Sequence, residues 1–328
     1  MALLALGATG RGPSKSPKAT AASPFQPAPT AVPQLLGAGV LSTGDDESHA
    51  VLTPEGDRVY FLKNTPLFDH WTIVTSRWNG KRWTTPEVVP FSGRWNDADP
   101  FLTADGSKLY FISNRPVDGT TPKTDTDLWM AEQKPGGAWS APVHLGVVNS
   151  SESEWFPSVT RDGTLYFGSE RAGGKGGADI WRSRLVGGVY QAPENLGEPI
   201  NSEGGEFEPM IAPDERFLVF AAIGREGGGG AGAFDLWISY NEGARWSQPV
   251  RLPAPLNTPA WDFAPRLSPD GRVLLFTSSR GRIGRDLDHA LKYEELLSKL
   301  HAPRNGLRDL YYIAASALPA PDSTQTTH

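Results

Sequence analysis

The sequence predicts an all-β fold: a five-bladed β-propeller of four-stranded antiparallel blades, closed by an N-terminal strand, with one helical insertion in the last blade. Three observations carry this. First, the strand Asp127-Leu128-Trp129 recurs as Asp179-Ile180-Trp181, Asp235-Leu236-Trp237 and Asp309-Leu310-Tyr311, with Asp69-His70-Trp71 as a looser first copy. Second, the Phe that ends the second strand of each unit falls at Phe61, Phe111, Phe167, Phe220 and Phe276, a repeat of 50 to 56 residues. A period of that size marks supersecondary units that bury their faces against one another. Third, the fifth unit stops after its third strand, while Val32-Pro33-Gln34-Leu35-Leu36-Gly37 copies the fourth-strand segments Ala141-Pro142-Val143-His144-Leu145-Gly146 and Ala192-Pro193-Glu194-Asn195-Leu196-Gly197. The leading segment is therefore expected to complete the last blade, which leaves few bare strand edges.

Each element has a local reason. The first strand ends at a tight turn: Pro54-Glu55-Gly56, Ala104-Asp105-Gly106, Arg161-Asp162-Gly163, Pro213-Asp214-Glu215 and Pro269-Asp270-Gly271. Asp and Gly supply the backbone angles such turns need. The second strand is β-branched and aromatic, as in Thr164-Leu165-Tyr166-Phe167. After the Asp-Leu-Trp strand, hairpin signals such as Asn79-Gly80 and Gly136-Gly137 lead to a fourth strand expected to hold Trp83, Trp139, Tyr190 or Trp246. Each stands three residues before Pro86, Pro142, Pro193 or Pro249, and proline suits an outer edge strand. In the fifth unit, Ala290, Tyr293, Leu297 and Leu300 recur at helical spacing and Pro303 stops the run, which predicts a helix within residues 285–303. Its apolar stripe must lie on the propeller or on a partner.

The cassette resembles the TolB-like propeller repeat, a WD-like family marked by a Pro-Asp-Gly turn, a Ser-x-Arg and an Asp-Leu-Trp. Ser268-Pro269-Asp270-Gly271 is followed by Ser278-Ser279-Arg280, and Ser113-Asn114-Arg115 and Ser169-Glu170-Arg171 match. Unit one departs with Lys63-Asn64-Thr65, and unit four with Ile223-Gly224-Arg225. The resemblance covers roughly residues 32 to 315 and implies the fold. The family spans translocation components, peptidase domains and carbohydrate-active proteins, so it does not imply an activity.

The domain reading is a tail or signal-peptide remnant over residues 1–31, one propeller over 32–316, and a C-terminal tail over 317–328. The first segment is rich in Ala, Pro, Ser and Thr, with an apolar stretch at Ala2–Ala8. With the family habit, this favours a periplasmic or extracellular location, the alternative being cytoplasmic. A net charge of −6 argues against nucleic acid, and no run is long enough for a membrane span. The chain has no Cys, which excludes disulfides and thiolate chemistry. Six His without metal-ligand spacing give no metal site, and the Gly-rich loops Gly173–Gly177 and Gly227–Gly230 precede strands, not the helix a phosphate loop needs. No cofactor is expected.

One mouth of the channel collects the candidate residues. Three before each inner-strand proline stands an acid, Asp97, Glu154, Glu206 or Asp262, with Glu47 in register where Ala50 replaces the proline. Their repetition predicts a structural role, each carboxylate pairing with an Arg of a neighbouring blade. Residues that break the repeat are the better functional candidates. Trp95, Trp155, Phe207 and Trp261, beside Asp97 and Asp262, are expected to bind a glycan, a peptide or a protein partner. The leading expectation is thus a non-catalytic binding propeller. The alternative is a carbohydrate-active enzyme, a hydrolase or lyase, with Glu154 and Glu206 as acid and base and His49 as the mouth's proton shuttle. Glycosidases on five-bladed propellers set acids in the funnel, and carboxyls about 5 Å or about 6.5–9.5 Å apart support retaining or inverting chemistry.

Overall fold

Short strands buried on both faces, such as Phe217–Ile223 and Val273–Ser278, build five antiparallel sheets, each too small to be stable alone, around one axis. The structure is a computed structural model, and it describes residues 25–321 apart from 122, 230–232, 282–286 and 288. Blade one comprises Asp46–Leu52, Arg58–Asn64, Trp71–Arg77 and Glu87–Val88. Blade two comprises Asp97–Leu102, Lys108–Ser113, Asp127–Glu132 and Val143–His144. Blade three is built from Glu154–Val159, Leu165–Ser169, Asp179–Ser183 and Glu194–Asn195. Blade four is built from Gly205–Ile211, Phe217–Ile223, Asp235–Tyr240 and Val250–Arg251.

The fifth blade closes the ring as expected. Its inner strands are Asp262–Leu267, Val273–Ser278 and Asp309–Ala314, and its outer strand is Gln34–Leu35. Gln34 pairs with Tyr312 and Leu35 with Tyr311 in antiparallel register. The ruler phenylalanines are all buried between blades, where each contributes on the order of 2 kcal/mol by leaving water.

Two details differ from the sequence reading, and a third narrows it. The paired fourth strands are two residues long and follow the proline. Trp83, Trp139 and Trp246 make isolated bridges to Trp78, Gln133 and Asn241 before it, and Tyr190 sits in a separate hairpin with Leu185. Proline lacks the N–H that would carry the ladder through, so pairing restarts beyond it. The terminal segments are docked where they are described. Phe25 packs on Trp78 and Trp83 with ring centroids 5.0 and 4.9 Å away, Ala314 N–H donates to Thr30 O, and the Tyr240 hydroxyl donates to Pro319 O. The apolar stretch Ala2–Ala8 lies outside the described residues. Finally, the insertion forms the helix Tyr293–Leu300, but none of its residues is buried, so the propeller leaves its apolar stripe uncovered.

Candidate functional site

Two sets of side chains two residues apart in sequence meet different fates. The regular acids form clamps. Arg171 Nη2 donates to Glu154 Oε1 at 2.7 Å and to Val148 O at 2.6 Å, while the Ser150 hydroxyl and N–H donate to the same carboxylate. Arg225 treats Glu206 and Ile200 O alike, and Arg115 and Arg280 do so for Asp97 with Phe91 O and for Asp262 with Leu256 O. Each guanidinium also lies over two rings of its own blade, as Arg171 does over Phe167 and Trp181. In blade one, Lys63 replaces Arg and reaches Glu47 at 2.5 Å. The expected pairing therefore exists, but within a blade and not between neighbours. The Arg spends its remaining donors on the carbonyls of the linker that enters its blade. Burial outweighs the cation and lifts the carboxyls of Asp97, Glu154 and Glu206 above their ordinary values.

Two residues further on, the inner strands break register. A bulge falls between Ser48 and Val51, Ala98 and Phe101, Trp155 and Ser158, Phe207 and Met210, and Phe263 and Arg266. At its start stand His49, Asp99, Phe156, Glu208 and Ala264, all with φ between 51° and 60°. A left-handed conformation at five non-glycine residues costs about 1–2 kcal/mol each. In four blades a proline follows, which needs no hydrogen-bond partner at the channel edge. The bulge turns these five side chains to the axis.

There they form one cluster. His49 Nε2 lies 3.2 Å from Asp99 Oδ1 and 3.3 Å from Glu208 Oε1, and its Nδ1 is 2.8 Å from Ser48 Oγ. Phe156 stacks on the imidazole at 5.3 Å with planes 7° apart. The N–H of Phe156 donates to Asp99 Oδ2, and that of Ala264 donates to Glu208 Oε2, so each acid is held by the backbone of the next blade. Arg266 lies beyond this floor, in the wall of a second cavity of about 630 Å³ that opens on the opposite face. Burial pushes the Asp99 carboxyl up to about 6, with His49 opposing and Glu208 reinforcing. It pushes the Glu208 carboxyl up to about 8, and holds His49 down at about 4. Near neutrality the unequal pair has one carboxyl ionised and one protonated beside a neutral imidazole.

Above the cluster is a cavity of about 250 Å³ whose floor includes His49, Asp99 and Glu208. Its walls are aromatic: Trp71, Trp155, Phe207, Phe234, Trp261 and Phe263, completed by Phe68 and Phe156. Phe234 is the hinge of this wall, with edge contacts to Phe207 at 5.5 Å and to Trp261 at 5.5 Å. Trp261 is 37% exposed and forms the rim. Among the described residues no group of three or more His, Asp or Glu is arranged to hold a metal ion.

Of the residues singled out from sequence, His49, Trp155, Phe207 and Trp261 line this pocket. Trp95 does not; it is half-buried under the Arg94 guanidinium, 4.8 Å above its ring. Asp97, Asp262, Glu154 and Glu206 are fully buried in their clamps and face no pocket wall. That geometry removes Glu154 and Glu206 as the funnel's acid and base, since each already accepts from Arg and a Ser. The residues missed are Asp99 and Glu208, with Trp71 and Phe234. Their signal was the position just before the inner-strand proline, occupied by a different residue in every blade.

A scan of protein-family models and a search of curated proteins find no match to this chain. Among solved structures it is similar to a BT0996 RGII complex, with TM-score 0.54 and 11% identity over 92% of this chain and 94% of that one. It is similar to a glycoside hydrolase at TM-score 0.52 and 10% identity, over 91% of this chain and 95% of that one. An α-L-arabinofuranosidase from Lactobacillus brevis aligns at TM-score 0.48 and 12% identity, over 87% of this chain and 97% of that one. Identities this low establish the shared propeller alone.

Proposed function

We propose that the protein is a binding propeller that takes a small ligand into the axial pocket, the mouth being the working face. The observation that carries this is convergence: aromatic walls from several blades enclose three buried titratable side chains. A site of that kind binds flat or apolar surface with its walls and reads one polar group with its floor. Trp155 and Trp261 make the test direct. Titration with a library of glycans and small metabolites should quench their fluorescence, and Trp155→Ala should weaken any hit about tenfold or more with no product formed. A library without a hit that depends on Trp155 would defeat the proposal.

A second reading, a carbohydrate-active enzyme, is supported by the unequal acids. A protonated Glu208 is matched to general acid work and an ionised Asp99 to base or nucleophile. Both reach one imidazole nitrogen, at 3.2 and 3.3 Å, so those two oxygens lie no more than about 6.5 Å apart, a bound that admits the separation of retaining enzymes. The glycoside hydrolase among the structural neighbours shares the propeller at 10% identity, so this reading rests on the acids. Turnover of an aryl glycoside, abolished in Glu208→Gln with binding retained, would establish it; bound glycosides that are never cleaved would exclude it. The TolB-like cassette supports a periplasmic or extracellular setting, which cell fractionation tests.

A further inference from the structure

We infer that the axial pocket is built for an organic monocation with apolar substituents, of the alkylammonium class. This rests on the pocket being the ligand site. Two features of the pocket point the same way. The first is what the walls lack. Among the described residues, no hydroxyl, amide or cationic side chain lines the cavity above the floor; the polar atoms of the walls are the indole N–H groups of Trp71, Trp155 and Trp261, which donate and cannot accept. A sugar would bury several O–H donors there without acceptors, at roughly 1–3 kcal/mol each. An alkylammonium loses nothing on such walls, and gains from ring faces at close range.

The second is charge. The groups facing the floor are Asp99 and Glu208, His49 between them, Arg266 beyond them, and Arg308, which is ion-paired to Asp46 and lies over Phe68. With His49 neutral and the Arg308–Asp46 pair cancelling, two ionised carboxylates against Arg266 leave one net negative charge. In the empty pocket a proton on the acid pair neutralises it. A monocation seated on the floor replaces that proton, so binding releases one proton and leaves the cluster neutral. A dication would overshoot, and an anion would meet Asp99.

The test uses choline and its neutral carbon isostere, 3,3-dimethylbutan-1-ol, on the full chain, followed by tryptophan fluorescence and calorimetry in buffers of different ionisation enthalpy. Methyl glycosides serve as the third probe. Choline should bind at least tenfold tighter than the isostere, release about one proton near pH 7, and weaken about tenfold for each pH unit below the titration of Glu208. Glu208→Gln should lose tenfold or more in choline affinity and the proton release with it. Trp261→Ala, at the exposed rim, should lose affinity but keep the proton release. Equal binding of the isostere, choline binding without proton release, or binding of glycosides in place of choline would overturn the cation assignment and leave the pocket as the ligand site. If none of the three probes perturbs the fluorescence, both the assignment and the pocket reading fall.

Discussion

Two rings of side chains encircle the same channel, two residues apart in every blade, and they do opposite things. The outer ring, Glu47, Asp97, Glu154, Glu206 and Asp262, is chemically uniform, and each member is bonded to a cation of its own blade. The inner ring, His49, Asp99, Phe156, Glu208 and Ala264, is chemically mixed and is held in a strained backbone. Uniform residues in relaxed strands hold linkers to blades. Mixed residues on a strained bulge are aimed at a shared cavity. The difference teaches that in a repeat fold the position that varies against a constant frame is the informative one, and that charge alone is a poor guide to function.

The largest effect expected from breaking this contrast lies in the outer ring. Arg171→Ala strands the buried Glu154 carboxylate and the Val148 carbonyl together. Removing one partner of a buried pair costs about 3–5 kcal/mol. Denaturant unfolding near pH 7 should show a loss of that order, with the pocket's ligand affinity unchanged at temperatures where the fold persists. The deficit should shrink as pH falls, because burial already lifts the Glu154 carboxyl and a protonated acid needs no cation. A loss under about 1 kcal/mol, the usual worth of an exposed pair, would mean that the clamps are ornamental.

The wheel was legible because its signals are local and repeated: Asp-Gly turns, the ruler Phe and the split last blade all follow from periodicity. The outer acids were legible as structural for the same reason, although their partners came from the same blade. Asp99 and Glu208 stayed hidden because their role depends on a bulge. An inner strand without one would turn the residue before the proline away from the axis, and no single-residue preference announces a positive φ at His, Asp, Phe, Glu and Ala alike. Phe234 and Trp71 reach the pocket from the starts of third strands, where sequence shows only the edge of the Asp-Leu-Trp repeat. Trp95 carried the same aromatic signal as Trp155, but Arg94 covers it.

A smaller effect separates the rings by pH. Glu208 has a folded value of about 8, above its unfolded value near 4.5, so the folded state holds a proton that the unfolded state releases. Its contribution is favourable at low pH and is lost as pH rises toward 8. Asp99 acts in the same direction up to about 6. His49 opposes both, because its folded value of about 4 lies below 6.5, so stability gained from it rises with pH and is complete by then. Between about 6.5 and about 8 only Glu208 is left titrating within the cluster. Wild-type stability should therefore fall across that window, by about 2 kcal/mol through Glu208 and by a smaller amount through the buried Asp309, whose carboxyl is pushed up to about 7. Glu208→Gln should remove the larger part of the slope and leave that of Asp309, which paired urea titrations at the two ends of the window would measure. An equal slope in the variant would place the titrating group elsewhere.

The smallest effect tests the strain itself. Ala264 holds φ at 51° with no side-chain chemistry to justify it, so its Cβ bears the left-handed cost without a functional return. Glycine relieves that cost, about 1–2 kcal/mol, and gives back about 0.5–1 kcal/mol in unfolded-state freedom. Deleting this buried methyl costs about 0.8 kcal/mol more, so Ala264→Gly should be close to neutral. Ala222, equally buried in the second strand of blade four, is the control. It has no left-handed strain to relieve, so Ala222→Gly should destabilise by about 1–2 kcal/mol. A clear loss at Ala222 with little or none at Ala264 would show that the axial bulge is under tension. If Ala264→Gly instead destabilises as much as Ala222→Gly, the bulge is relaxed, and the inner ring is set by packing and not by a backbone held against its preference.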